Sequence, residues 1–139
     1  MTTGTAGTTA RQYEKATVHY IRIGVTYSDT GISSGVAKPV YLPAGAVILG
    51  TDVVLGASFN AQTTNVLTAG TNGTTANNIV ATVTASAAGF GATNHAPTGT
   101  ALGEIASDSQ VYVKYTQTGT AATQGNAQII IKFCVDNDL

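Results

Sequence analysis

The chain has 139 residues, of which 43% are hydrophobic, only 9% are charged and twenty-four are threonine, and its formal net charge is −1. Soluble proteins usually carry about a quarter charged residues, and here neither sign clusters into a strip able to neutralise phosphates, so nucleic acid is not an expected partner. No apolar run approaches the ~18 residues of a membrane span, which argues against a membrane partner.

The length predicts one domain with one core. The abundance of Thr and Val, whose branched Cβ suits a pleated strand, predicts an all-β protein. So sparse a charge leaves two readings of the surface: solvation by hydroxyls and amides, or coverage by other subunits. Near-zero net charge opposes association between copies only weakly, so an oligomer is expected.

Residues 1–12 form a Thr/Gly/Ala tract without hydrophobic periodicity. Such a tract is too poor in large apolar groups to order itself, and reads either as a frayed tail or as an arm ordered by a partner. Arg11 and Tyr13 are the side chains best suited to anchor it, and residues 13–139 are the expected domain. With no basic start and no apolar stretch the tract is not a signal peptide, so synthesis in the cytoplasm is expected.

Residues 16–27 alternate, with His19, Ile21, Ile23, Val25 and Tyr27 on one face, and predict a long first strand. A turn at Ser28-Asp29-Thr30-Gly31 leads to a short strand over 36–42, where Pro39 belongs at an edge or a bulge. Leu42-Pro43-Ala44-Gly45 predicts a tight turn. The near-continuous apolar run 46–55 predicts a central strand covered on both faces, with a bulge or close approach at Gly50.

Shorter strands are expected over 65–69 and 78–84, and 85–103 reads as a long loop or weakly paired excursion, rich in Gly and Asn. Residues 109–117 alternate, with Val111, Val113 and Tyr115 opposite Tyr112, Lys114 and Thr116. The turn 118–125 then predicts a hairpin with the last strand, 127–135. Roughly eight strands without an amphipathic helix predict an antiparallel β-sandwich of jelly-roll type, with an open barrel as the alternative.

Motifs for chemistry are weak. Gly31-Ile32-Ser33-Ser34-Gly35 matches the nucleophile-elbow pattern, but that motif works only between a parallel strand and a helix, and Val-Ala-Lys-Pro does not begin a helix. His19 and His95 lack ligand-like spacing, and His19 alternates with Ile21 and Ile23 as a residue within a sheet or interface would. Asp136-Asn137-Asp138 falls short of a calcium loop. Asn72-Gly73-Thr74 satisfies the glycosylation sequon and reads as a turn. Cys134 has no partner for a disulfide and reads as a buried small hydrophobe. No catalytic residue, metal site or cofactor is expected. Sugar-binding modules share this size and architecture, but one outward Tyr112 makes no aromatic platform.

The segments Leu42-Pro43-Ala44-Gly45-Ala46-Val47-Ile48, Phe59-Asn60-Ala61, Thr64-Asn65-Val66-Leu67 and 111–119 together resemble the small head-decoration, or cement, proteins of tailed bacteriophages. The resemblance runs over about 36–135. It implies a non-enzymatic β-sandwich, a homotrimer on the outer surface of the virion head that clamps neighbouring major capsid subunits, with an arm that reaches a partner. On that reading Thr2, Thr3, Arg11 and Tyr13 are candidate capsid contacts, and His19, Tyr112 and Tyr115 are candidate subunit-interface residues. A glycan- or receptor-binding module of a tail fibre or baseplate is the alternative, and a hydrolase built on Ser33 a third.

Overall fold

The computed structural model describes residues 17–86 and 89–135. The arm with Thr2, Thr3, Arg11 and Tyr13, and the Asp136-Asn137-Asp138 terminus, lie outside the described residues. Eight strands follow in order: β1 Val18–Thr26, β2 Val36–Leu42, β3 Ala46–Ala57, β4 Thr64–Gly70, β5 Val80–Thr84, β6 Gly89–His95, β7 Ser109–Thr118 and β8 Asn126–Val135. Among the described residues there is no α-helix, only a 3-10 turn at Gly99–Ala101. The strands form two four-stranded sheets with orders β1-β8-β3-β6 and β2-β7-β4-β5, and every pairing is antiparallel.

Alternation decides what each strand buries. In β1 Ile23 and Val25 point inward, and their β8 partners Ile129 and Ala127 do the same. From the second sheet Leu67 and Ala69 of β4, Val83 of β5, and Val111, Val113 and Tyr115 of β7 meet them in one continuous core. Each fully buried Ile, Leu or Val contributes roughly 1.5–3 kcal/mol of transfer free energy, so this period-two pattern is the main determinant of the sandwich.

One polar group is built into that core. Asn65 is buried, and its side chain accepts from the Ala61 amide at 2.9 Å and donates to the Ala61 carbonyl at 2.9 Å. The Tyr115 hydroxyl donates to the same Asn65 oxygen at 2.6 Å, and the Tyr115 ring lies 4.7 Å from that of Phe59, centroid to centroid. Burial pushes the Tyr115 phenol above its ordinary value of 10.0.

Several expectations are met closely. β2 spans the predicted 36–42, lies at a sheet edge, and shifts register between Ala37 and Tyr41, the interval that holds Pro39. β3 is interior to its sheet and bulges between Ile48 and Gly50.

Other expectations are corrected. β7 and β8 are not a hairpin: β7 pairs with β2 and β4, and β8 with β1 and β3, so the connection crosses from one sheet to the other. The crossing is clasped by Asn60, whose side-chain oxygen accepts from the amides of Thr123 at 2.8 Å and Gln124 at 3.1 Å. At Gly125 a Cβ would stand 2.5 Å from the Phe59 ring, so the backbone passes directly over the end of the core. β3 is covered on one face, not two: Ala46, Ile48, Val53 and Leu55 are buried, whereas Val47 and Val54 are half-buried and Leu49 is exposed. Cys134 is half-buried on the outer side, paired with Val18 and Val47, rather than in the core. The 85–103 segment, by contrast, takes the weakly paired form of its expectation: it contains an edge strand, β6, whose pairing with β3 shifts register twice.

Candidate functional site

Two outer faces are available, and they differ in chemistry. On the first sheet, cross-strand partners line up in rows: Val18, Cys134 and Val47; then Tyr20, Lys132 and Gly50; then Arg22, Ile130 and Asp52. The charges in these rows are tied to neighbours. Lys132 lies 3.4 Å from Asp52, Asp52 accepts from the Asn94 amide at 2.8 Å, and the Arg22 Nε donates to Gln128. The Asn94 amide, and after it Lys132, hold the Asp52 carboxyl below its ordinary value of 3.8. What remains open is an apolar corner in which Tyr20 is 66% exposed, Leu49 50% and Val18 43%.

This corner adjoins the outer edge of β1, with which no strand among the described residues pairs. A free edge offers unpaired N–H and C=O groups, and natural proteins blunt such edges with proline, bulges or shortness. β2 carries Pro39 and a register shift, β5 has five residues, and β6 shifts register twice. β1 has no proline and pairs with β8 over nine successive residues without a shift, so its outer edge is straight. Of the four sheet edges, β1 is the one best able to accept another strand.

The outer face of the second sheet is polar. Lys114 of β7 and Thr68 of β4 are direct cross-strand partners, with Thr116 two residues along. The segment between β4 and β5 folds over them and closes a cleft of about 200 Å³, its wall made by Thr74, Thr75, Ala76 and Asn77. That wall is held in place by side chains. Asn78 accepts from the Thr71 amide at 2.9 Å and donates to the hydroxyls of Thr71 at 2.9 Å and Thr100 at 3.0 Å. Asn72 accepts from the amides of Thr74 at 2.8 Å and Thr75 at 3.2 Å, and Gly73 lies against the Tyr112 ring, where a Cβ would come within 3.1 Å.

The residues singled out in the sequence are dispersed. His19 is exposed on β1 and its ring stacks on Phe133, with centroids 5.4 Å apart. Tyr112 is half-buried under its own chain at Gly73. Tyr115 is 0% exposed and bonded to Asn65, which removes it from the candidate interface residues. Its alternation with Val111 and Val113 was already the signature of an inward position.

Ser33 lies in the turn between β1 and β2, so the elbow pattern links a strand of one sheet to a strand of the other rather than a parallel strand to a helix. His95 pairs with Thr51 across the β3/β6 seam, and His95 Nε2 and Thr51 Oγ1 are both buried without a hydrogen-bond partner among the described residues. Among the described residues no group of three or more His, Cys, Asp or Glu is arranged to hold a metal. The cleft escaped sequence reasoning because its floor comes from two strands and its wall from a loop. The outward alternation of Tyr112, Lys114 and Thr116 was its one available signal.

No family model matches the chain, and no curated protein matches it. Among solved structures, a chain of the Cyanophage Pam1 capsid asymmetric unit superposes with a TM-score of 0.51 and 17% identity, over 86% of this chain and 86% of that one. At that identity the likeness is one of fold alone, shared over 86% of each chain.

Proposed function

We propose that the chain is a phage head-decoration protein: a homotrimer on the outer surface of the capsid that ties neighbouring major capsid subunits together. The observation that carries this reading is the fold shared over 86% of both chains with a member of a capsid asymmetric unit. The strand orders β1-β8-β3-β6 and β2-β7-β4-β5 support a jelly roll, the double-sheet plan that recurs in viral capsid domains.

Two surface features fit the role. The apolar corner of Val18, Tyr20 and Leu49 is a patch that association would cover, and the straight edge of β1 is a template for an added strand. A trimer that engages three capsid subunits converts weak single contacts into firm attachment, because the second and third contacts are intramolecular. With few charges, such attachment is little weakened by salt. In this reading the chain has no catalytic step, cofactor, nucleic-acid partner or membrane partner, and it is made in the host cytoplasm.

The test is co-sedimentation with expanded empty heads of the cognate phage, using the full chain, a chain lacking residues 2–12, and Tyr20→Glu. The full chain is expected to pellet with heads and the two altered chains to pellet less. Failure of the full chain to bind heads overturns the reading. Sedimentation equilibrium of the free protein is expected to give about three times the 14.0 kDa chain mass, and a monomer at every concentration overturns the trimer.

A further inference from the structure

We propose that the cleft between β4, β7 and the 74–77 segment is a binding site for an acidic sugar, with Lys114 holding its carboxylate. The site lies on the sheet opposite the apolar corner, and the inference stands independently of capsid attachment.

The first support is that Lys114 stands apart from the other cations among the described residues, each of which is bonded to a neighbour. Lys38 bonds Asp29 at 2.7 Å, Lys132 pairs with Asp52 at 3.4 Å, and Arg22 bonds Gln128. Lys114 makes no ion pair and no side-chain hydrogen bond with any described residue, although it is half-buried in the floor of a cleft. The hydroxyls beside it, on Thr68 and Thr116, are likewise without partners among the described residues. A lysine offers three donors, and hydroxyls offer both donor and acceptor positions. The lining is therefore suited to a ligand that carries one oxyanion and several hydroxyl groups.

Charge and size narrow the class. One cation balances a monoanionic carboxylate, whereas a phosphate dianion would remain uncompensated in the absence of a second cation in the lining. At about 200 Å³ the cleft is smaller than the roughly 300–1,000 Å³ of pockets for drug-sized ligands, which suits a single sugar ring. Among the described residues no aromatic side chain lines it, so recognition rests on hydrogen bonds rather than ring stacking.

The second support is preorganisation. The wall is fixed by Asn72 and Asn78 and anchored below by buried Ala76 and Ile79. A ligand therefore finds the site already ordered and avoids the entropic cost of assembling it.

The test is a nitrogen-15 NMR titration of the full chain with sodium salts of galacturonate, glucuronate and N-acetylneuraminate. Galactose and sodium sulfate at matched ionic strength are the controls. At least one acidic sugar is expected to shift the amides of Thr68, Lys114 and Thr116 saturably, with galactose and sulfate much weaker. Lys114→Gln is expected to weaken that binding roughly tenfold or more, as loss of a charge-assisted bond does, while Lys132→Gln leaves it unchanged. Thr68→Val, a substitution on the same outer face, is expected to weaken it severalfold with the rest of the spectrum intact. The proposal is overturned by an absence of saturable shifts with all three acidic sugars, by equal binding of sulfate or galactose, or by full binding in Lys114→Gln. Head co-sedimentation is read separately, so either reading can fail without the other.

Discussion

The two sheets treat buried polar groups in opposite ways. In the second sheet Asn65 is buried with both ends of its amide bonded, to the Ala61 backbone and to the Tyr115 hydroxyl. In the first sheet Thr51 and His95 face each other across the β3/β6 seam, each with a buried polar atom that has no partner among the described residues. The backbone at these two seams differs in the same sense. β4 and β7 pair over seven successive residues without a shift, whereas β6 shifts twice against β3 and Asn94 takes a positive φ of 61°. A satisfied polar hub rigidifies its surroundings, and an unsatisfied pair marks where a structure opens first. The seam beside β6 is therefore the soft side of the sandwich, and the β4/β7 side is the firm one.

The strongest way to break this contrast is to remove the hub. Asn65→Ala strips the Ala61 amide and carbonyl and the Tyr115 hydroxyl of their partner inside the core. With the desolvation cost of stranded groups added to the lost bonds, the expected destabilisation is about 3 kcal/mol in urea denaturation. Tyr115→Phe removes a single bond and leaves Asn65 served by Ala61, so it is expected to cost about 1 kcal/mol. Similar midpoints for the two variants would show that the hub does not act as described.

The seam predicts the opposite sign. Thr51 is 0% exposed and its hydroxyl is unpaired, so Thr51→Val replaces a costly buried hydroxyl with a methyl of similar shape. A gain of about 1 kcal/mol is expected, read as a higher urea midpoint with an unchanged slope. Destabilisation by that substitution would mean that the hydroxyl has a partner, such as a buried water bridging to His95.

How far these regions were legible in the sequence follows from what periodicity encodes. Period-two alternation reports which face a residue occupies, and it placed Val111, Val113 and Tyr115 together on one side of β7 and Ile23 and Val25 inward on β1. It carries no information on which strand lies alongside. The β7 to β8 connection therefore read as a hairpin, when the grip of Asn60 and the passage of Gly125 over Phe59 send the chain to the other sheet. β6 was hidden for a related reason: Gly89, Gly91 and Asn94 look like loop residues, and the strand owes its existence to pairing with β3 rather than to propensity. Lys114 lies far along the chain from Thr68 and Asn77, so no spacing announces the cleft, which exists only once β4, β7 and the segment between β4 and β5 are assembled.

The smallest effect separates the ion pairs of the two sheets. Burial works against the Asp29 carboxylate, but bonds from Lys38 at 2.7 Å and from the Thr26 hydroxyl at 2.7 Å and amide at 3.2 Å outweigh it and hold the group below its ordinary value of 3.8. Asp52 is lowered by the Asn94 amide and by Lys132 at the longer distance of 3.4 Å. A carboxyl depressed in the native state binds more protons when unfolded. Its contribution is therefore complete above the ordinary value and is lost as pH falls through the lower native value. Both pairs are partly exposed, which limits each to about 1 kcal/mol or less. Urea midpoints at about pH 5 and about pH 2.5 are expected to differ less in Asp29→Asn than in the unaltered chain, and to be narrowed less by Asp52→Asn. The order follows from geometry: Asp29 ties the β1/β2 turn to Lys38 through several short bonds, whereas Asp52 holds Asn94 on the strand whose pairing is already irregular. A larger effect from Asp52→Asn would place the firmer electrostatic tie on the β6 side and reverse the contrast between the two sheets.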